Sequence, residues 1–284
     1  MSRRAPPVSP SLAPSETRAF FELFRAEAGL SFGEDSVFVV ERRLRERLGS
    51  LGLSTFGEYL EVVRSSPREL EEALELVTTH ETYFFREEYQ LRAFRDEVLP
   101  RLQKLAEPRR RLSIWSAGCS TGEEAYSLAM MLHDSPLFEG WELRILGGDL
   151  SRRCILAARK AVYGPSAFRV APADLRSRHF ETEPEGVRVS ADIRSACTFA
   201  QMNLLDADRC AVVGRVEAIF CRNVLIYLET AARRRVIATL YERLIPGGYL
   251  LLGHSESLLN VSSAFEVVHL REDIVYRKPA ASRD

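Results

Sequence analysis

From Leu112 onward the sequence keeps one alternation: a short apolar run, a turn, then a helical stretch. LSIWS (112–116) runs through a glycine-containing turn into a helix predicted over Glu123–His133. LRILGGD (143–149) leads into a helix over Arg152–Ala161, and VEAIFC (216–221) into one near Ala231–Leu244. YLLLGH (249–254) follows a Pro246-Gly247-Gly248 turn, and FEVVHL and DIVYRK read as a closing hairpin. A helix between two strands carries the chain back over the sheet, so such strands run parallel and helices cover both faces. The pattern therefore predicts an α/β fold built on a doubly wound, mostly parallel sheet.

Ahead of that region the period changes. From Ser15 to about Val77 apolar residues recur three or four apart, as in Val37, Val40, Leu44 and Leu48, which marks amphipathic helices. Thr55-x-x-Glu58 and Ser66-Pro67-Arg68-Glu69 have the form of capping boxes. Residues 1–14, rich in proline and serine, read as a disordered tail without the apolar core of a secretory signal. The expected division is a tail (1–14), an N-terminal all-helical domain (15–80) and the α/β domain (81–284). Between Tyr163 and Asn203 the alternation breaks. There GVRVS and CTFAQM, joined through ADIRSA, predict a small inserted antiparallel β-subdomain over about residues 164–200.

Composition narrows the function. A formal net charge of -1 leaves no footprint for nucleic acid. No apolar run is long enough to span a bilayer, so no membrane insertion is expected. The five cysteines are scattered, without a C-x-x-C pair or a histidine at ligand spacing; no metal site is expected, and a reducing cytoplasm is.

In an open α/β sheet ligands bind beyond the carboxyl ends of the strands, and unusual residues stand at several such ends. Ala117–Glu124, AGCSTGEE, is neither a dinucleotide fingerprint nor a P-loop. A helix that opens with Glu123 and Glu124 suits a ligand with a positive amino group, although both residues also complement the helix dipole. Asp149 is placed to accept from ribose hydroxyls, with Ser151 free to cap the following helix. Cys221-Arg222-Asn223 leaves a very apolar strand with two polar side chains. Thr78–Arg86, TTHETYFFR, sets aromatics beside an arginine in a linker, as a cover for a ligand or as packing between domains. Gly253-His254-Ser255-Glu256-Ser257 begins like a nucleophile elbow but lacks its last glycine and the matching acid and histidine, which disfavours a serine hydrolase.

Together the stretches TTHETYFFRE, IWSAGCSTGEEAYSLA, GGDLSRRCILAAR, MNLLD, IFCRNVLIYLE and LIPGGYLLLGHSES resemble the CheR family of chemotaxis receptor methyltransferases over about Val37 to Tyr276. The resemblance implies a class I methyltransferase-like sheet, an N-terminal helical domain and an inserted antiparallel subdomain. It implies S-adenosylmethionine as methyl donor and S-adenosylhomocysteine as product. Cofactor contacts would come from His80, Thr82 and Arg86 in the linker, Glu124 in the glycine turn, Asp149 on the ribose, Asn203 and Leu204 beside the adenine, and Arg222 and Asn223 closing the site. Arg86 and Tyr227 would be the catalytic pair, with Tyr227 near the transferred methyl. The family pattern has Asn at the position of His80.

The implied reaction forms glutamyl methyl esters on chemoreceptors. A glutamate, with an ordinary pKa of about 4.3, is already a nucleophile at neutral pH and requires no general base. The implied partner is the helical bundle of a methyl-accepting chemoreceptor, docked through Arg42, Arg43, Arg45 and Arg47 in ERRLRERL. The short His179–Gly186 connection points to docking without a receptor-tail tether. A cytoplasmic monomer is expected. The rival reading is a non-catalytic S-adenosylmethionine-sensing or receptor-binding module, which calorimetry with S-adenosylhomocysteine and a methyl-ester assay would separate from the enzyme.

Overall fold

The structure, a computed structural model, describes residues 11–33, 35–171 and 173–280. The chain divides into two compact units, Met1–Thr79 and His80–Asp284.

The first unit holds α1 (Pro14–Ala28), α2 (Ser36–Ser50), α3 (Phe56–Ser65) and α4 (Pro67–Val77). Of the tail expected over residues 1–14, residues 1–10 lie outside those described. The remainder departs from that expectation: Leu12 is buried and Pro14 opens α1, in the first turn where its missing N–H costs nothing. Phe20, Phe24 and Tyr59 pack edge-tilted in the core, with ring centroids 5.8–5.9 Å apart. Thr55 and Glu58 form the expected capping box, each side chain taking the other's backbone N–H. The second expected box is half made. Ser66 Oγ accepts from Glu69 N, but the Glu69 carboxylate turns into the core to meet Tyr59 and Arg47.

The second unit opens with α5 (Glu88–Ala93) and α6 (Leu99–Ala106), joined by a π-helical stretch over Phe94–Val98. Then follow β1 (Arg111–Ala117), α7 (Glu123–His133), β2 (Glu142–Asp149), α8 (Arg152–Lys160), β3 (Val162–Tyr163), α9 (Ala173–His179), β4 (Phe180–Glu183) and β5 (Gly186–Val189). The chain continues through α10 (Ala191–Ser195), β6 (Cys197–Gln201), α11 (Ala207–Cys210), β7 (Val216–Cys221), α12 (Thr230–Arg243), β8 (Leu244–Leu252), β9 (Glu266–His269) and β10 (Ile274–Arg277). The large sheet has the order β6-β2-β1-β7-β8-β10-β9. Its first four pairings are parallel, and the closing pairings of β10 with β8 and β9 are antiparallel. Strand order reverses between β1 and β7, so the ends of those strands flank the crevice where such sheets bind ligands. No helix among the described residues is long and apolar enough to cross a membrane.

The insertion differs in part from its prediction. GVRV is β5, the middle of a small antiparallel sheet β3-β5-β4. CTFAQ, however, is β6 and runs parallel to β2 at the edge of the large sheet, while ADIRS is helix α10. Phe199 decides the placement. Its ring fills the space over Gly147 of β2, where a Cβ would stand only 2.5 Å from it. The predicted Pro246-Gly247-Gly248 turn is also absorbed into a strand. Gly247, at φ 82°, lies inside β8, whose pairing with β7 is irregular there.

Candidate active site

The turn after β1 is held by backbone and by one carboxylate. Gly118 and Cys119 both donate to the Gly148 carbonyl, at 2.7 and 3.0 Å. Asp149 accepts from Ser120 N at 2.7 Å and from Ser151 N at 2.9 Å, so it ties the turn to the end of β2. Ser151 caps α8 through the Cys154 N–H, so the cap does not depend on Asp149. Gly118 has φ 87°, and a Cβ there would stand 2.3 Å from Val224 Cγ2. Only glycine lets the segment after β7 cross this close.

Glu123 and Glu124 part company at the start of α7. Glu123 is buried and accepts from the Thr121 hydroxyl at 2.7 Å. Glu124 turns the other way, accepting from Ser116 Oγ at 2.7 Å and from Arg222 Nη1 at 3.2 Å. Burial pushes the Glu124 carboxyl above the ordinary carboxylate range, against the pull of Arg222 and Ser116.

Arg222 is the hub of the site. Its side chain is 2% exposed. Nε donates to Gln90 Oε1 at 2.9 Å, and Nη2 donates to the Arg86 carbonyl at 2.7 Å and to Glu87 Oε2 at 2.9 Å. Gln90 passes the connection on, donating to Asp273 and to the Leu252 carbonyl. Burial acts to raise Glu87, but the charge and hydrogen bond of Arg222 outweigh it and hold Glu87 low, with a further bond from Asn223. Burial pushes Asp273 up. One guanidinium is thus set among three carboxylates, and the cluster carries more anion than cation.

The linker beside this hub is tightly folded. Phe85 and Glu87 hold φ 58° and 55°, outside the range that side chains prefer. Phe84 is fully buried against Tyr163, Phe168 and Phe180, in the core of the second unit. The His80 carbonyl accepts from Ser120 Oγ at 3.1 Å. Thr82 is half-buried. Arg86 donates to the Glu81 carbonyl and lies 5.8 Å from the Tyr83 ring centroid; among the described residues it pairs with no carboxylate. Asn203 turns its side-chain oxygen onto Leu205 N, and Leu204 is half-buried beside it. Asn223 has φ 58°, and Tyr227 is 39% exposed.

The geometry thus brings Glu124, Arg222 and Asn223 into one hydrogen-bonded network with the main-chain carbonyl, not the guanidinium, of Arg86, and joins the His80 carbonyl to Asp149 through Ser120. Arg222, expected to close the site, donates from all three of its nitrogens to protein groups. No contact joins Arg86 to Tyr227 among those described. Glu87, Gln90, Asp273 and Ser116 were missed from the sequence. Ser116, a polar residue fully buried near the carboxyl end of β1, carries the available signal. His80, Asp149 and Cys154 also place a nitrogen, an oxygen and a sulfur within 4.8 Å of one another, and Asp149 already accepts there from Ser120 N and Ser151 N.

This geometry has relatives. The family description "CheR methyltransferase, SAM binding domain" matches residues 80–274, and "CheR methyltransferase, all-alpha domain" matches residues 15–78. The chain is 33% identical to chemotaxis protein methyltransferase 2 of Vibrio cholerae, over 92% of this chain and 91% of that one. It is 34% identical to chemotaxis protein methyltransferase 1 of Pseudomonas aeruginosa, over 93% and 99%. It is also 33% identical to the probable biofilm formation methyltransferase WspC of Pseudomonas putida, over 90% of this chain and 60% of that one.

Proposed function

This chain belongs to the CheR methyltransferase family, and we propose that it esterifies glutamate side chains on the cytoplasmic helical bundle of a chemoreceptor. The observation that supports this reading is a division of charge. Glu87 and Glu124 on Arg222, with Asp273 linked through Gln90, suit a cationic donor. Arg86 makes no salt bridge to a carboxylate among the described residues, though its charge acts on Glu87, which leaves its guanidinium to meet an anionic acceptor. S-adenosylmethionine fits the first of these places, and when bound it supplies a methyl group on a cationic sulfonium.

The residues of this chain then divide the labour. Glu124 takes the methionyl amine, and Asp149 the ribose hydroxyls. Asn203 and Leu204 border the adenine, and His80 and Thr82 close the linker side. Arg222 keeps Glu124 and Glu87 ionised and aimed, and Asn223 seals the network from the segment that follows β7. Arg86 draws in the acceptor carboxylate, and Tyr227 borders the methyl. A glutamate acceptor is already deprotonated at neutral pH, so these residues orient two opposite charges and exclude water rather than move a proton.

The docking surface is narrower than the sequence suggests. Arg43 donates to the carbonyls of Leu76 and Thr78, Arg45 pairs with Glu41, and Arg47 is bidentate to Glu69. Arg42 remains exposed, one helical turn beyond Phe38, which is 73% exposed. We place receptor docking on Arg42 and Phe38. The cell compartment is the cytoplasm and the working form a monomer.

The test is transfer of a radiolabelled methyl group to receptor-containing membranes. Base-labile label on receptor glutamates is expected, and Arg86→Ala should remove most of it while S-adenosylhomocysteine still binds. Label that resists base, or label confined to small molecules, would overturn the acceptor. Binding of S-adenosylhomocysteine without any transfer would favour a sensing module instead.

A further inference from the structure

The strap Asn223–Tyr227 is anchored by the buried Leu225 and by Val224 over the glycine turn, while Ile226 and Tyr227 are 41% and 39% exposed. Asn223, at φ 58°, takes the left-handed conformation that asparagine adopts more readily than most side chains. The main chain of the strap is held in addition from the segment after β8. One oxygen of Glu256 accepts from Gly253 N at 2.7 Å and Asn223 N at 2.8 Å. The other accepts from Val224 N at 2.9 Å and Ile226 N at 3.2 Å. A carboxylate offers about four acceptor directions, so both oxygens of Glu256 are filled by main chain.

The approach is possible because residue 253 is glycine. A Cβ there would stand 2.8 Å from Asn223 N and 2.9 Å from Asn223 Nδ2. On its other side the strap lies on the glycine turn, where Val224 occupies the space that a Gly118 side chain would need. A single anion therefore joins the loops that leave β7 and β8, and Val224 packs that joined pair against the loop that leaves β1.

We propose that Glu256 is a positioning residue for methyl transfer, clamping the strap so that Asn223 and Tyr227 stay in register with the glycine turn. The proposal rests on the methyltransferase reading and adds a residue that acts through four backbone N–H groups. The clamp requires a carboxylate. Glutamine would present one oxygen and turn an amine toward two donors, and aspartate is one methylene short.

The test is Glu256→Gln in the full chain. Hydrogen exchange at the Asn223, Val224 and Ile226 amides should speed up by about tenfold or more, the scale of one lost charge-assisted bond, while β7 amides stay protected. Turnover should fall by about tenfold or more, with affinity for S-adenosylhomocysteine within about threefold of wild type, because Glu124 and Asp149 sit on other loops. Glu256→Ala leaves a carboxylate-sized space lined by donors, and added acetate should restore part of its turnover but none in Glu256→Gln. If Glu256→Ala does not fold, Gly253→Ala pushes the same contact apart and should show the same split. Unchanged exchange in Glu256→Gln, or equal losses in cofactor affinity and turnover, would overturn the clamp. Exchange and calorimetry need no acceptor, so failure of the acceptor reading shows separately, as a wild-type protein that esterifies nothing.

Discussion

Each unit of this chain pairs an arginine with carboxylates drawn at least partly out of water, and the two clusters are built to opposite ends. In the helical unit Arg47 lies bidentate on Glu69, with N–O distances of 2.7 and 2.8 Å, and Tyr59 donates to the same carboxylate at 3.0 Å. One cation meets one anion, and Arg47 holds Glu69 below the usual carboxylate range despite burial. In the α/β unit Arg222 is divided between two carboxylates, a carbonyl and an amide, and burial still pushes Glu124 up. The first cluster is complete as it stands. The second holds an excess of buried negative charge, which is costly unless a cation arrives. Charge balance, more than burial, separates the cluster that supports a fold from the one proposed to serve a ligand.

Removing the hub should have the largest effect. Arg222→Met leaves Glu124 and Glu87 facing each other without their shared cation. Breaking a buried pair on one side costs about 3–5 kcal/mol. Thermal unfolding should fall markedly, and calorimetry should detect no S-adenosylhomocysteine binding. A stable Arg222→Met protein that binds the product normally would dissolve the contrast between the two clusters.

Glu124→Gln should be gentler and more selective. A charged hydrogen bond contributes about 1.5–3 kcal/mol, so S-adenosylmethionine affinity should fall by roughly tenfold to a hundredfold while the fold survives. The pH dependence carries the sign. Because the Glu124 carboxyl is raised in the free protein, a cationic ligand must displace its proton as pH falls toward that raised value. Affinity should therefore weaken on acidification, starting above the ordinary carboxylate range of about 4.3, and Glu124→Gln should flatten the profile. A wild-type profile already flat through that window would remove Glu124 as the amine's partner.

What the sequence disclosed follows the same division. Strands β1, β2 and β7, the helix Glu123–His133 and the Ser151 cap were legible because each depends on local periodicity or on a side chain bonding its own neighbourhood. Strand β6 was assigned to the insertion because CTFAQ reads as a strand in either sheet, and only Phe199 settling over Gly147 selects one. Arg43 and Arg47 read as a surface because nothing in ERRLRERL tells which way an arginine turns; their partners lie on or just after α4. Glu256 was hidden inside a failed hydrolase motif, since its partners are backbone amides, which every sequence supplies. Side chains that act on main chain far along the sequence leave no spacing to read.

The closed cluster gives the next test. Arg47→Met alone strands a Glu69 side chain that is 9% exposed, and because Arg47 itself is 29% exposed the cost should fall below the buried range, at about 2 kcal/mol. Arg47→Met, Glu69→Leu and Tyr59→Phe together should recover most of that loss, because a complete pair can be exchanged for apolar packing. The sign with pH is opposite to that of Glu124. Glu69 is lowered by Arg47, so its contribution is present above the unfolded pKa and is lost as pH falls through the folded one. Thermal unfolding of the full chain against pH reads both effects. A triple variant as unstable as the single would mean that Arg47 is retained for more than the pair.

The smallest effect should belong to the residues that neither cluster uses. Arg42 is exposed and, among the described residues, has no carboxylate partner, so Arg42→Glu should leave thermal unfolding and S-adenosylhomocysteine binding unchanged. If the helical unit docks an acidic receptor helix, reversing this charge should raise KM for receptor about threefold to tenfold at low salt, and the difference should shrink as salt screens it. Phe38→Ala should raise KM as well, but without the salt dependence, because the lost contact is apolar. A KM unmoved by both would leave the helical unit with a closed charge pair and no part in choosing the acceptor. Selection of the glutamate would then pass to the exposed rim of the α/β unit, where Ile226 and Tyr227 stand on the strap that Glu256 holds.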